Sequence, residues 1–270
     1  MARIQMDNAL CRRWFVSVMV SAVIFSTSLV SFTQAQAEPT ILITGANRGL
    51  GFEFARQYAE RGWNIIATAR RPDEATALHD LAQQYPNITI EQLDVTDHAM
   101  IDSLAAKYAG SPIDILLNNA GISGGSENQF FGRLNYDVFD DVMATNVIGP
   151  LKMAEAFIDH VRAGEQKKII TVSSSQGSIT EVRMGMLYFY RGSKTALNMV
   201  MTNLARQLEP EGIIVGLVAP GATDTDFMKG VKIPLGKPED RVRGMIGTID
   251  NMTMENTGIF IEYSNKILPW

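Results

Sequence analysis

The chain has 270 residues, 46% of them hydrophobic, with a formal net charge of −5 and a single cysteine. Such length and apolar content suit one large α/β domain or two small ones and argue against an intrinsically disordered chain. The acidic balance argues against a nucleic-acid partner, and the lone Cys11 permits no internal disulfide, so stability has to come from core burial.

Residues 1–37 read as a targeting segment. Arg3, Arg12 and Arg13 precede an apolar run from Trp14 to Phe32, and Ala35-Gln36-Ala37 supplies small residues for a cleavage site. This is the three-part pattern of a secretory signal, which starts the mature chain near Glu38. Ser17, Ser21, Ser26, Thr27, Ser28 and Ser31 interrupt the apolar run and favour a cleaved signal over an uncleaved membrane anchor. Arg12-Arg13 also resembles a twin-arginine address, the bacterial route for proteins that fold before export. The expectation is a periplasmic protein; a membrane-anchored one, or a cytoplasmic one with a mis-assigned start, are the alternatives.

From residue 38 onward, short apolar, β-branched runs alternate with longer segments of helical period, and no linker or repeat divides them. Strands are expected over 40–44, 64–69, 88–93, 113–117, 168–173, 213–219 and 258–262, and helices over 49–61, 73–84, 97–109, 136–162 and 189–208. Strands apolar on both faces belong in a buried parallel sheet. The predicted fold is therefore α/β: a single, doubly wound Rossmann domain over 38–270, with a predominantly parallel seven-stranded sheet flanked by helices.

The first strand runs into Thr44-Gly45-Ala46-Asn47-Arg48-Gly49-Leu50-Gly51 and then into a helix. Glycines at such a turn let backbone N–H groups approach a pyrophosphate, whose charge the helix N-terminus favours. The spacing, G-x-x-x-G-x-G, differs from the standard dinucleotide fingerprint and lacks the lysine of a nucleotide-hydrolase loop. About 20 residues further on, where an acidic residue marks NAD and an arginine marks NADP, stands Arg70, followed by Arg71. With Arg48 in the turn itself, three guanidinium groups could converge on a 2′-phosphate, which favours NADP(H) over NAD(H).

On these residues the chain resembles the short-chain dehydrogenase/reductase family, over essentially all of 40–270. The family's glycine turn is matched by Thr44 to Gly51, its Asn-Asn-Ala-Gly by Asn118 to Gly121, and its Asp-Val near the adenine by Asp94-Val95. Its Asn-Val-x-Gly is matched from Asn146, its Tyr-x-x-x-Lys by Tyr190 and Lys194, and its Pro-Gly by Pro220-Gly221, with Thr225 where a threonine meets the nicotinamide carboxamide. The resemblance implies that Asn118, Ala120, Gly121, Tyr190 and Lys194 line the cofactor site, and that Asn146 supports a water linking Lys194 to solvent. The family serine, in a Ser-x-x-Gly setting, falls on Ser174, although Ser173 and Ser175 flank it and the spacing to Tyr190 is longer than usual.

Tyr190 and Lys194 stand at i and i+4, so a helix carries both on one face. An ammonium group about 4 Å from a phenol stabilises the phenolate by roughly 4 kcal/mol before desolvation and should lower its pKa. Tyr190 is then the general acid of a carbonyl reduction, or the base of an alcohol oxidation, while Ser174 hydrogen-bonds the substrate oxygen.

The Tyr190 to Asn198 stretch, and the segment from Gly258 to Trp270, look like those of C-factor and Sniffer-type carbonyl reductases, which use NADPH. A small carbonyl or alcohol substrate is implied, with a homodimer or homotetramer as the assembly. Phe227, Met228, Val231, Ile233 and Leu235 are expected to form an apolar lid, with 121–131 as the opposite wall. His79, His98 and His160 show no metal-ligand spacing and are expected at the surface. A noncatalytic dinucleotide-binding signalling protein is the alternative, although binding alone needs neither the phenol nor its lysine.

Overall fold

Why the chain folds as it does is clearest in its strands, whose residues are almost wholly buried. The computed structural model describes residues 38–229 and 232–270; the expected leader, and Val231 of the expected lid, lie outside the described residues. Seven parallel strands are formed: β1 (Thr40–Ile43), β2 (Asn64–Ala69), β3 (Ile88–Gln92), β4 (Ile115–Asn118), β5 (Lys168–Val172), β6 (Ile214–Ala219) and β7 (Phe260–Glu262). Every residue of β4, β5 and β6 is buried, as a sheet covered on both faces requires.

The strand order is β3-β2-β1-β4-β5-β6-β7. The chain therefore crosses over between β1 and β4, whose carboxyl ends lie side by side with Ile43 opposite Leu117. In open α/β sheets that switch point is where ligands bind.

Helices α1 (Gly49–Glu60), α2 (Thr76–Gln84) and α3 (His98–Lys107) follow the first three strands as expected. One face of the sheet packs with Phe54 and Tyr58 of α1, and the other with Phe157, Leu197 and Met201. Fully buried side chains such as Phe54 and Phe157 each stabilise the fold by about 1.5–3 kcal/mol.

The helix expected over 136–162 is not continuous. It consists of a short 3-10 turn, α4 (Phe139–Met143), a π turn over Ala144–Ile148, α5 (Gly149–Ala156) and α6 (Ile158–Ala163). Pro150 brings no N–H to the ladder and its ring crowds the preceding turn, while Gly149 lies so close to β3's exit that a Cβ there would be 3.0 Å from the Val95 carbonyl. The long helix α7 (Tyr188–Leu208) follows β5, and a helix not expected, α8 (Pro238–Asp250), covers the sheet beside α1. Its start was written in Pro238, Glu239 and Asp240, a proline in the first turn followed by acids that suit a helix N-terminus.

His79 and His98 are exposed, but His160 is buried, 8% accessible, with Nε2 3.1 Å from the Ala105 carbonyl. Its neighbour Phe157 packs against the ring, so α6 needs the histidine as a core residue. Among the described residues no cluster of His, Cys, Asp or Glu could hold a metal ion, and no helix is long and apolar enough to cross a membrane.

Candidate active site

The turn after β1 is shaped by close approaches. Gly45 and Gly49 adopt φ of 67° and 57°, the left-handed region that favours glycine. Gly51 is helical, yet a Cβ there would lie 2.1 Å from the Gly45 carbonyl oxygen, so the helix can start this close to the turn only without a side chain. Ala46 N–H donates to the Thr68 carbonyl at the end of β2, Leu50 packs on the core, and Asn47 is half-buried. Arg48, at the N-cap of α1, gives that helix no side-chain cap, and no acid occupies the first turn. An uncapped N-terminus of this length is suited to an anion.

Across the switch point, Thr44 Oγ1 accepts from the N–H groups of Asn119 and Ala120, both at 3.0 Å. Asn119 Nδ2 returns bonds to the carbonyls of Thr44 and Gly45 at 2.9 and 3.1 Å. Asn119 was not among the expected site residues, although it stands in the Asn-Asn-Ala-Gly element; its amide is what joins the two loops. Asn118 points the other way and donates to the Pro150 carbonyl, 3.3 Å distant. Asp94 accepts from the backbone and hydroxyl of Thr96, and Val95 is buried under Gly149.

The loop after β6 completes this side. Gly221 has φ of 68°, with Tyr263 packed against it, and the Thr223 hydroxyl donates to the Pro220 carbonyl. Thr225 comes against the glycine turn, its Cγ2 3.6 Å from where a Cβ on Gly49 would stand. Arg48 pairs with Asp226 of this loop at 3.3 Å, and Arg71 pairs with Glu74 at 3.0 Å. Three converging guanidinium groups are therefore not what is formed: Arg71 is drawn back to its own 3-10 turn, and Arg70 is the one of the three with no ion pair among the described residues.

At the centre, α7 carries Tyr190 and Lys194, both buried. Lys194 Nζ donates to the Val172 carbonyl at 2.9 Å and lies 5.9 Å from the centre of the Tyr190 ring. Gly121 closes the group: a Cβ on it would be 3.3 Å from Asn146 Oδ1 and 3.8 Å from Lys194 Nζ. Asn146, in the π turn, is fully buried; its Oδ1 accepts from Ile122 N–H, and its Nδ2 donates to the Ile122 carbonyl and to Ser193 Oγ. Both donors of that amide are used within the protein, and its oxygen accepts once. Of the three serines after β5, Ser173 donates to Asn198 at 2.6 Å, whereas Ser174 accepts from the Gln176 N–H and its hydroxyl acts to lower the pKa of the Tyr190 phenol.

Residues 39–234 match the family of short chain dehydrogenases. The chain belongs to that family. It is 35% identical over 168 residues to C-signal of Myxococcus xanthus, covering 62% of this chain and 99% of that protein. The NADPH-bound carbonyl reductase from chicken fatty liver is 30% identical, with a TM-score of 0.80 over 86% of this chain and 99% of that one. The carbonyl reductase Sniffer of D. melanogaster is 28% identical, with a TM-score of 0.78 over 86% of this chain and 100% of that one.

In this short-chain dehydrogenase the electrostatics of the central pair differ from the sequence expectation. Burial pushes the Tyr190 phenol up to about 12, with the adjacent Ser174 hydroxyl pulling it down, and burial lowers Lys194 from 10.5 to about 8. Desolvation outweighs attraction because the charged forms of both groups lose water, and the lysine ammonium is held by Val172 rather than by the phenol.

The dehydrogenase's mouth is aromatic. Phe227 of the expected lid, 42% exposed, packs its ring 5.3 Å from that of Tyr190. Met228 and Leu235 are half-buried and Ile233 is exposed. On the wall formed by 121–131, Phe131 packs against Tyr188, the other tyrosine of α7's first turn.

Proposed function

We propose that this short-chain dehydrogenase is an NADP(H)-dependent carbonyl reductase acting on a small carbonyl or alcohol substrate, with Tyr190, Lys194, Ser174 and Asn146 as its working residues. The observation that carries the reading is that Lys194 Nζ and Asn146 Oδ1 both come against Gly121, while Lys194 Nζ lies 5.9 Å from the ring of Tyr190, one turn earlier on α7. The glycine turn fits a dinucleotide: two positive-φ glycines, the uncapped start of α1 and the Arg70 guanidinium, which has no ion pair among the described residues, suit a phosphate-rich ligand. Thr44 to Gly51, Asp94, Val95, Ala120, Gly121, Pro220, Gly221 and Thr225 would hold it. Relatives of known structure carrying NADPH or NADP support the same choice of cofactor.

Bound there, NADPH supplies the hydride. Ser174 donates a hydrogen bond to the substrate oxygen and orients it, and Tyr190 gives that oxygen its proton as the carbonyl carbon is reduced. A phenol near 12 stays protonated, the state a reduction starts from, but is a weaker proton donor than a free phenol, so its proton passes only as negative charge develops on the substrate oxygen. Lys194, near 8, holds or releases a proton around neutrality and so can restore the phenol. Asn146 fixes the loop at Ile122 that faces them.

Residues 38–270, incubated with NADPH and a panel of aldehydes, ketones and quinones, test this directly. NADPH oxidation with at least one carbonyl is expected. Exchanging Arg48 and Arg70 for neutral residues should weaken NADPH at least about tenfold more than NADH, the equivalent of 1.4 kcal/mol; equal losses would refute the choice of cofactor. The likeness to C-signal favours a second reading, a dinucleotide-binding signalling protein. Tight NADPH binding with no turnover of any carbonyl would favour it. The leader at 1–37 we read as a secretory signal; its Arg12-Arg13 pair resembles a twin-arginine address, a route that would carry the folded protein with its cofactor.

A further inference from the structure

The helix that carries Tyr190 begins without a cap of its own. Leu187, at the N-cap, is in the left-handed region with φ of 52° and offers no side-chain bond, a conformation costly for a branched residue. The missing acceptor comes from 60 residues away. Gln129, 1% exposed, accepts from the N–H groups of Phe189 and Tyr190 through Oε1, each at 2.9 Å. Its Nε2 donates to the carbonyls of Ser123 and Gly125, at 2.7 and 2.9 Å. A primary amide is the side chain with two donors and a two-fold acceptor in one plane, and here all four positions are used.

These bonds continue past Gln129. Ser123 follows Ile122, which Asn146 grips at both its N–H and its carbonyl; Asn146 Nδ2 donates to Ser193 Oγ, 3.0 Å away; and Ser193 Oγ donates to the Tyr190 carbonyl at 2.8 Å. The path starts at the N–H of Tyr190 and returns to its carbonyl. Every side chain in it is buried.

We propose that this closed ring of hydrogen bonds is a positioning device, and that Gln129, with Ser193, sets the orientation of Tyr190 and ties it to the loop that walls the substrate side. Neither residue touches reacting atoms. The tyrosine's backbone is held on both sides, so its phenol has little freedom except about its own side-chain torsions, and misplacement on the order of 1 Å can cost about a hundredfold in rate. The proposal rests on the reading of Tyr190 as the proton donor, and its test separates the two.

Gln129→Met, which keeps length and removes all four bonds, should lower kcat by about 10- to 100-fold while the Kd for NADPH changes by less than about twofold, because the glycine turn is untouched. Ser193→Ala opens the ring at the opposite point and carries the same readouts should Gln129→Met fail to fold. Since one break already opens a ring, the double variant should lose no more than about threefold beyond the worse single. A Gln129→Met enzyme with kcat within about twofold of the parent, a loss confined to NADPH binding, or two losses that multiply would each overturn the proposal. If the parent reduces no carbonyl at all, the reading of its function fails, and the ring is then judged by amide exchange. Exchange over 188–193 should accelerate at least about tenfold in Gln129→Met with α1 unchanged, and equal rates would overturn it.

Discussion

Tyr190 and Lys194 share a helix face, but their protonation is governed by burial more than by each other. Lys194 makes this measurable. Its folded value, about 8, lies below its ordinary 10.5, so below pH 8 both folded and unfolded chains hold the proton and the fold bears the cost of a buried charge. As pH rises from 8 toward 10 the folded chain has released the proton and the unfolded chain has not, so stability rises. Above about 10 the raised phenol of Tyr190 acts in the opposite direction. Denaturant unfolding at pH 7.5 and 9.5 should therefore show a gain of up to about 2 kcal/mol in the parent that Lys194→Met lacks. The same gain in both proteins would show that Lys194 is not the titrating group. At this scale the sequence was informative where chemistry is local: the i, i+4 pair and the glycine turn needed only spacing. Ser174 was picked out by its Ser-x-x-Gly setting, and the bond of Ser173 to Asn198 sets that neighbour apart. Gln129 left no local trace, because its four partners lie in other parts of the chain or on backbone atoms.

Elements were legible where they obey a period and obscure where one residue breaks it. All seven strands lie within two or three residues of their expected bounds, because buried parallel strands are short, branched and apolar. The broken helix around Asn146 was not, since a π turn has no composition of its own and is set by Gly149 packing on Val95 and by Pro150. That break places the Asn146 amide against Ile122 instead of leaving it on a helix surface. Glycines separate function from filler in the same way. Gly51→Ala would drive a Cβ into the Gly45 carbonyl and should cost about 1–3 kcal/mol, with loss of dinucleotide binding. Gly247, in α8, meets nothing within 4 Å, and Gly247→Ala should stabilise by about 0.5–1 kcal/mol with activity intact. Thermal melts of both variants check the pair, and similar melting temperatures would contradict the close approach at Gly51.

On the scale of the whole molecule, one topological fact assembles the site. The crossover between β1 and β4 sets the glycine turn, the Asn119 junction and the β5 and β6 exits along one edge of the sheet, and α7 is laid across it. One aromatic ring, Phe227 from the β6 loop, packs on Tyr190, while Tyr136 and Phe139 pack on its neighbour Phe189. The alternation of strands and helices foretold this frame, but not which loops would meet, since that depends on strand order. The central claim is that Tyr190 donates the proton in carbonyl reduction, and a single-turnover measurement tests it most directly. With NADPH bound and a carbonyl substrate mixed in, Tyr190→Phe should bind the cofactor as the parent does and oxidise it at least about a hundredfold more slowly. Equal rates of NADPH oxidation in the two proteins would contradict the account.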